Sequence, residues 1–273
     1  MVMMLGWKNW LDAEDFTSAT ITGGSYAAAY PATNLRTRRL IQAARTTDAT
    51  TGSTYGVIDL GQSRTWRFLS FVGNNLTSSA TIRVRGASSE AALTSSPTFD
   101  QTFDAWVSPN TPTSTDGNKP TAVCLASTDQ TTRWLRFDIT DTSNPDGVVE
   151  IEHLGVWQGY TPPHQYDIGA RTGVESYSAV DESVGLAEYF FVRSNGRAKQ
   201  FGISFVDDDA ADAWQDIQRY CDIHRPCFFL HDAAEPARWI RRSYLCRLRV
   251  LSSIEYPQPT WRTIGAEVKE WLA

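Results

Sequence analysis

YGVIDLGQSRTWRFLSFVGNNLTSSATIRVRGAS, Tyr55–Ser88, is the best-patterned stretch of the chain. "VIDLG" and "RFLSFVG" read as neighbouring strands joined through Gly61 and Gln62. In "ATIRVRGAS", Ile82 and Val84 alternate with Arg83 and Arg85, which predicts one buried and one wet face. The stretch holds no His or Cys, and Asp59 is its only acid. Such a segment is suited to forming the wall of a sandwich rather than to carrying chemistry.

The same texture extends on both sides. Residues 1 to about 160 are rich in Ser, Thr, Gly and Asn, with short apolar runs between turn signals, the spacing of a β-sandwich or barrel. "RWLRFDIT" sets Trp134 or Leu135, Phe137 and Ile139 against polar partners, and "VVEIEHLGVW" does so with Val149, Ile151 and Leu154. Between them "DTSNPDG", Asp141–Gly147, has turn composition. Ser95–Lys119 reads as a long loop, and its Phe99, Phe103 and Trp106 predict that part of it docks on something.

"QGYTPPHQYD", Gln158–Asp167, is a linker candidate because Pro162–Pro163 blocks regular structure. Beyond it, "AEYFFVRS" and "AKQFGISFV" predict strands around an Asn195–Gly196 turn, a hairpin signal. "DDDAADAWQDIQRYCDIH" predicts a helix. Asp207 or Asp208 caps it, Ala210, Trp214, Ile217 and Cys221 form its apolar stripe, and Pro226 stops it. "CFFLHD", "RSYLCRLRVLSSIEY" and "WRTIGAEVKEWL" read as further strands. The second part is therefore a small sheet or barrel with one packed helix, an α+β arrangement in a mainly β chain.

Bulk numbers narrow the function. The net charge of −6 leaves no basic footprint for nucleic acid. No apolar run approaches the roughly 20 residues of a membrane span. The first residues, MVMMLGWKNWLDAED, lack the basic start and unbroken apolar run of a signal peptide, so cytoplasmic synthesis is expected. Asn75–Thr77 matches a glycosylation acceptor and is read as chance.

Cys221, His224, Cys227 and His231 lie close in sequence, with Cys246 within reach as a fifth ligand. Their spacing departs from the paired ligands of zinc modules, so buried small residues are the reading for Cys221 and Cys227, with metal ligation as the alternative. The chain has no G-x-S-x-G, P-loop or G-x-G-x-x-G. The acids Asp207–Asp209 read as a helix start, and Glu150 with Glu152 as the wet face of a strand. No catalytic residue, cofactor or metal is assigned, and the chain is read as a non-enzyme. A depolymerase or metal hydrolase would need a carboxylate pair in a groove or a bound metal.

Loop aromatics are candidate ligand contacts, with Trp106, Tyr26, Tyr30 and Tyr55 considered and Trp106 and Tyr30 retained. "RTRRL" (Arg36–Leu40) and "RWIRRSY" (Arg238–Tyr244) are basic clusters that read as solvated or as paired with acids of a neighbour. Trp239, Arg241, Arg242, Trp261 and Trp271 are candidate partner contacts, of the residue types that anchor interfaces.

"YPATNLRT" (Tyr30–Thr37), the Tyr55–Ser88 stretch and "WLRFDITDTSNPDGVVEIEHLGVW" together resemble the discoidin, or galactose-binding-like, jelly-roll sandwich, over residues 12 to 158. With the second part attached, the layout is similar to tail-tip (baseplate) proteins of long-tailed bacteriophages (siphoviruses). Residues 1–160 match their sandwich, and residues 161–273 resemble the belt domain of distal tail proteins, a unit related to tail-tube subunits. That resemblance implies a structural component of the virion, a distal or minor tail protein that self-associates into a three- or six-fold ring. Tube, hub, tape measure and fibres would be its other partners, and "EVKEWLA" an edge strand pairing with a neighbouring subunit. The alternative is a carbohydrate-binding module that touches a host saccharide during adsorption. The loop aromatics and arginines of sugar-binding sandwiches do not align here, so no sugar site is carried over, and shared fold does not imply shared function.

Overall fold

The computed structural model describes residues 2–115, 118–182, 188–192 and 195–272. They fall into two compact units, one within Met1–Tyr160 and Leu230–Tyr244, the other within Thr161–Phe229 and Leu245–Leu272.

The first unit is built from β1 (Met4–Asn9), β2 (Thr20–Thr22), β3 (Ala44–Arg45), β4 (Tyr55–Asn74), β5 (Thr81–Ala87), β6 (Phe99–Asp104), β7 (Thr121–Thr140) and β8 (Glu150–Tyr160). Their order is β6-β5-β7-β4-β8-β1, with β2 on β4 and β3 on β8. The two long strands, β4 and β7, pair in three stretches: residues 55–59 with 134–138, residues 64–66 with 130–132, and residues 68–72 with 121–125. Register breaks at Asp59/Arg64 and Trp66/Phe68 separate these stretches. The first stretch extends to β2, β5 and β6, the last to β8 and β1. Strands that switch layers through such irregularities close a sandwich into a jelly roll.

Side chains of both layers meet in one core, with Ile58, Ile82, Val84 and Phe137 from one layer and Leu69, Phe71, Leu154 and Val156 from the other. Phe71 and Phe137 touch edge to face, with centroids 5.4 Å apart. The alternation in β5, β7 and β8 buries Ile82, Val84, Leu135, Phe137, Ile139, Val149, Ile151 and Leu154 as the sequence predicts.

Three local expectations are corrected. "VIDLG" and "RFLSFVG" are two halves of β4, not adjacent strands. Gly61, at φ +75°, bends that strand while Asp59 Oδ1 accepts from its N–H at 2.9 Å. Arg85 is not on a wet face. It is 9% exposed, donates to Leu93 O and pairs with Asp138 at 2.6 Å. The short helix α1 (Ala92–Ser95) covers that face, Leu93 packing with Val57 and Ala87. The Ser95–Lys119 segment is not all loop, because β6 pairs with β5, and Phe99 and Phe103 pack on the core. Asp116 and Gly117 of that segment lie outside the described residues.

Leu230–Tyr244 belongs to this unit. Ala233 N donates to Val2 O at 2.7 Å, Asn110 Nδ2 to Ala237 O at 2.8 Å, and Ile240 enters the core.

The second unit contains β9 (Arg171–Ser176), β10 (Ala179–Glu182), β11 (Glu188–Phe191), β12 (Asn195–Val206) and α2 (Asp208–Cys221). These are followed by β13 (Cys227–Leu230), α3 (Trp239–Arg242), which lies in the first unit, β14 (Tyr244–Val250) and β15 (Arg262–Glu270). Its sheet runs β13-β14-β15-β12-β9. β15 alternates strictly, burying Arg262, Ile264, Ala266, Val268 and Glu270. α2 packs on β15 and buries Ala211, Trp214, Ile217 and Cys221. Asp207 caps it, accepting from Ala210 N at 2.8 Å, and it ends at Asp222, ahead of Pro226, where φ is 45°.

Two more expectations change here. Asn195–Gly196 is no turn, since both residues open β12 and pair with Ser176 and Glu175. The hairpin is β10–β11, inserted between β9 and β12; Ala187, Arg193 and Ser194 of the expected strand lie outside the described residues. The terminal strand is not an edge either, because β15 bonds β14 on one side and β12 on the other.

Two buried polar contacts give testable consequences. In the second unit Glu270 accepts from Arg197 N at 2.8 Å and Nε at 2.9 Å, with both side chains under one-tenth exposed. Glu270→Leu takes the carboxylate away from a buried guanidinium and is expected to cost about 3–5 kcal/mol in urea unfolding, with Arg197→Met/Glu270→Leu recovering most of it. A loss under about 1 kcal/mol would contradict the pair's burial. In the first unit the buried His153 ring contacts Thr37 O at 2.9 Å and Asn9 Nδ2 at 3.3 Å. Burial lowers its pKa, against an opposing contribution from the Thr37 carbonyl. The unfolded chain then binds more protons below about pH 6.5, so stability is expected to fall as pH drops from 6.5. His153→Gln should flatten that stretch of the urea-midpoint profile, and an unchanged slope would count against the buried neutral imidazole.

Candidate functional site

Tyr30, retained from the sequence, lies on the first unit beside the β3–β8 pair. Backbone bonds fix the segment before it: Ala27 N donates to Arg45 O at 2.9 Å, and Arg45 N to Tyr30 O at 3.0 Å. β3 in turn pairs with β8, Ala44 opposite Ile151 and Arg45 opposite Glu150. The aromatic ring therefore rests on sheet, not on a free loop.

The Tyr30 ring is 38% exposed, and the Arg45 guanidinium lies 4.5 Å from its centroid. Arg45 Nε donates to Glu150 Oε2 at 2.7 Å, a hydrogen bond that raises the guanidinium pKa further. Glu150 N donates to Asn75 Oδ1 at 2.8 Å, and Asn75 Nδ2 donates to Asp146 Oδ2 at 2.9 Å. Tyr30, Arg45, Glu150, Asn75 and Asp146 thus form a connected row of one half-exposed ring followed by donors and acceptors. Such a row can hold a ligand that offers an apolar face and hydroxyl groups.

The other retained aromatic is corrected. Trp106 is 6% exposed, sits in the core cluster and donates from Nε1 to Leu76 O at 3.0 Å. Its ring fixes the end of β6. Tyr26, considered with it, packs against the same core, and burial raises its phenol pKa well above the ordinary value. Tyr55 carries the Arg136 guanidinium 4.2 Å from its ring.

The candidate partner contacts are divided. Trp239, Arg241 and Arg242 share α3 of the first unit, whereas Trp261 and Trp271 belong to the second. Trp239 Nε1 donates to Asp232 O at 2.6 Å, and Arg242 Nη1 contacts His231 Nε2 at 3.1 Å. Trp261 is 39% exposed, and Trp271 N donates to Leu245 O at 2.9 Å.

The Cys/His group is also divided. Cys221, Cys227 and Cys246 are buried in the second unit, with Cys227 Sγ 3.4 Å from Cys246 Sγ. His224 is exposed beside Asp222, and His231 belongs to the first unit. Among the described residues no three His, Cys, Asp or Glu side chains are placed to hold a metal ion, and no helix is long and apolar enough to cross a membrane.

Sequence reading missed Arg45, which has no motif, and took Glu150 only as one of two wet-face acids. Their pairing spans 105 positions. It also missed Tyr189, Phe190, Phe191 and Val192, which are 59%, 63%, 57% and 84% exposed, because an unbroken apolar run reads as a buried strand.

No family model matches the chain, and no curated protein matches it. Solved structures do. A Ruminococcus gnavus fucosidase bound to fucose shares 16% identity at a TM-score of 0.37, over 56% of this chain and 27% of the enzyme. The chain thus spans about a quarter of that enzyme's length. A family 32 carbohydrate-binding module of C. perfringens, solved with galactose, shares 12% identity at a TM-score of 0.37, over 52% of this chain and 95% of the module. The lectin domain of lectinolysin, complexed with Lewis B antigen, shares 14% at 0.37, over 55% of this chain and 96% of the domain. At this overlap none of these likenesses fixes a ligand or an activity.

Proposed function

We propose that the chain is a non-catalytic binding protein whose first unit holds a saccharide at the surface of Tyr30. The carrying observation is the half-exposed Tyr30 ring backed by the Arg45–Glu150 pair on sheet. A sugar ring presents C–H groups to an aromatic face while its hydroxyls reach side chains around it, and Arg45, Glu150 and Asp146 supply those groups. Arg45 and Glu150 bond each other, an arrangement that orients a ligand rather than transferring a proton.

A second reading concerns assembly: a virion tail-tip role, with residues 1–160 as a sandwich module and 161–273 as a belt-like domain that self-associates into a ring. The β10–β11 hairpin favours it. Every residue of its two strands is exposed, with Val180 and Phe190 on one face and Ala179 and Phe191 on the other. An isolated two-stranded hairpin is marginal in water, so a contact that covers it adds to its stability. The two readings coexist in one protein.

Binding of the full chain to immobilised oligosaccharides tests the first reading. Tyr30→Ala is expected to weaken it about tenfold, the loss of one aromatic contact of about 1.4 kcal/mol, with the thermal midpoint unchanged. Affinity that neither Tyr30→Ala nor Arg45→Ala weakens would overturn the site. Native mass measurement tests the second: a closed oligomer that dissociates on Phe190→Ser/Phe191→Ser is expected, and an oligomer indifferent to both changes would remove the hairpin from the interface.

A further inference from the structure

On the second unit, Gly202 of β12 stands directly opposite Gly265 of β15. Gly202 lacks the positive φ that demands glycine elsewhere in this chain. A Cβ added there would meet nothing nearer than Asp167 Oδ2 at 3.5 Å, an ordinary contact. Glycine inside a strand weakens it and marks places where something approaches the backbone closely. Here neither conformation nor packing within the chain calls for it.

Above the glycine pair lies an open groove of about 670 Å³. Asp167–Arg171 form one wall, and Ser252, Ser253 and Glu255 the other. Both walls are tied to the floor by backbone bonds. Asp167 N donates to Gly202 O at 2.8 Å, while Glu255 and Thr263 exchange bonds of 2.9 and 3.0 Å. Asp167 is held further by Ser204, whose Oγ donates to Oδ2 at 2.7 Å. The groove is preformed.

Its chemistry selects the ligand. Gln200 and Thr263 share the floor's face, with the carboxylates of Asp167 and Glu255 and the guanidinium of Arg171 beside them. This mixture of charge signs does not suit a phosphate or a polyanion. β12 is bonded to β15 on one side; on the other, its pairing with β9 ends at Gln200, and beyond it Asp167 takes up Gly202 O and Ser204 N, so no peptide adds to the sheet as a strand here. What fits is a neutral, hydroxyl-rich chain lying flat on the glycine floor.

An aromatic surface stands further along the same strand pair. Phe205 adopts φ +60° in the irregular stretch between Ile203 and Val206, a strained conformation for a bulky residue, and is 60% exposed. Its ring meets Trp261 edge to face, with centroids 6.3 Å apart. Arg262 locks the loop that carries Trp261, donating to the carbonyls of Gln258, Pro259 and Trp261 at 3.0–3.2 Å. The loop that bears Trp261 is thus hydrogen-bonded in place.

We infer that the groove over Gly202 and Gly265 is a second saccharide site, on the second unit, for a neutral oligosaccharide whose end reaches Phe205 and Trp261. It does not depend on the Tyr30 site. The test uses the full chain and a panel of immobilised neutral gluco-, galacto-, rhamno- and N-acetylglucosamine oligosaccharides, in a Tyr30→Ala/Arg45→Ala background. Binding is expected to persist in that background. It should fall at least tenfold with Gly202→Val or Trp261→Ala, while circular dichroism and the thermal midpoint hold. Gly202→Ala, which the geometry accommodates, gives a smaller loss and controls for folding. Loss of all binding in the Tyr30→Ala/Arg45→Ala background overturns the second site and leaves the first standing. Residual binding indifferent to Gly202→Val and Trp261→Ala overturns it as well.

Discussion

The interrupted pairing of β4 with β7 is the constraint on which the first unit depends. Two strands of 20 residues cannot stay in one twisted layer and also bury both ends of their apolar pattern against one core. Register breaks near Gly61 and Trp66 release them into a second layer, which brings Phe71 against Phe137. The break also sets where β8 runs, and β8 carries Glu150 at its first residue. β3 then places Arg45 opposite Glu150, and Arg45 lies over Tyr30. Each step from strand pairing to ring orientation is a backbone or charge-assisted contact, so the surface is preorganised.

The second unit reaches a binding surface by different means. Its sheet buries one face under α2, and the opposite face is left open over Gly202 and Gly265. Strict alternation along β15 keeps the two faces chemically separate: Ile264, Ala266 and Val268 inward, Thr263, Gly265 and Glu267 outward. Both units therefore present rings beside hydrogen-bonding side chains, with acids used in ion pairs or as anchors. Glu150 with Arg45, Glu270 with Arg197 and Asp167 with Ser204 illustrate the pattern.

What was legible in the sequence was periodic. Leu135, Phe137 and Ile139, or Trp214 and Ile217, declare their buried faces by spacing alone, and Asp207 declares its helix start. What was not legible depended on contacts between distant residues. Trp106 looks like a loop aromatic because its segment is rich in Pro, Ser and Thr, yet it closes the core beside β6. Asn195–Gly196 has turn composition, but pairing with β9 keeps it extended. "EVKEWL" has the composition of an edge strand, and only the position of β14 shows that it is interior. Of the candidate site, Tyr30 was readable as a loop aromatic, whereas its partner Arg45 was one of many unremarked arginines. The return of Leu230–Tyr244 to the first unit left no local signal, since Ile240 sits with Trp239 in a short basic run of no clear period.

The most direct test is a crystal structure of the full chain with an oligosaccharide that it binds. The account predicts a sugar ring stacked on the exposed side of Tyr30, with hydroxyls within hydrogen-bond distance of Arg45 and Glu150. Density for that ring elsewhere on the sandwich, with Tyr30 uncovered, would contradict it.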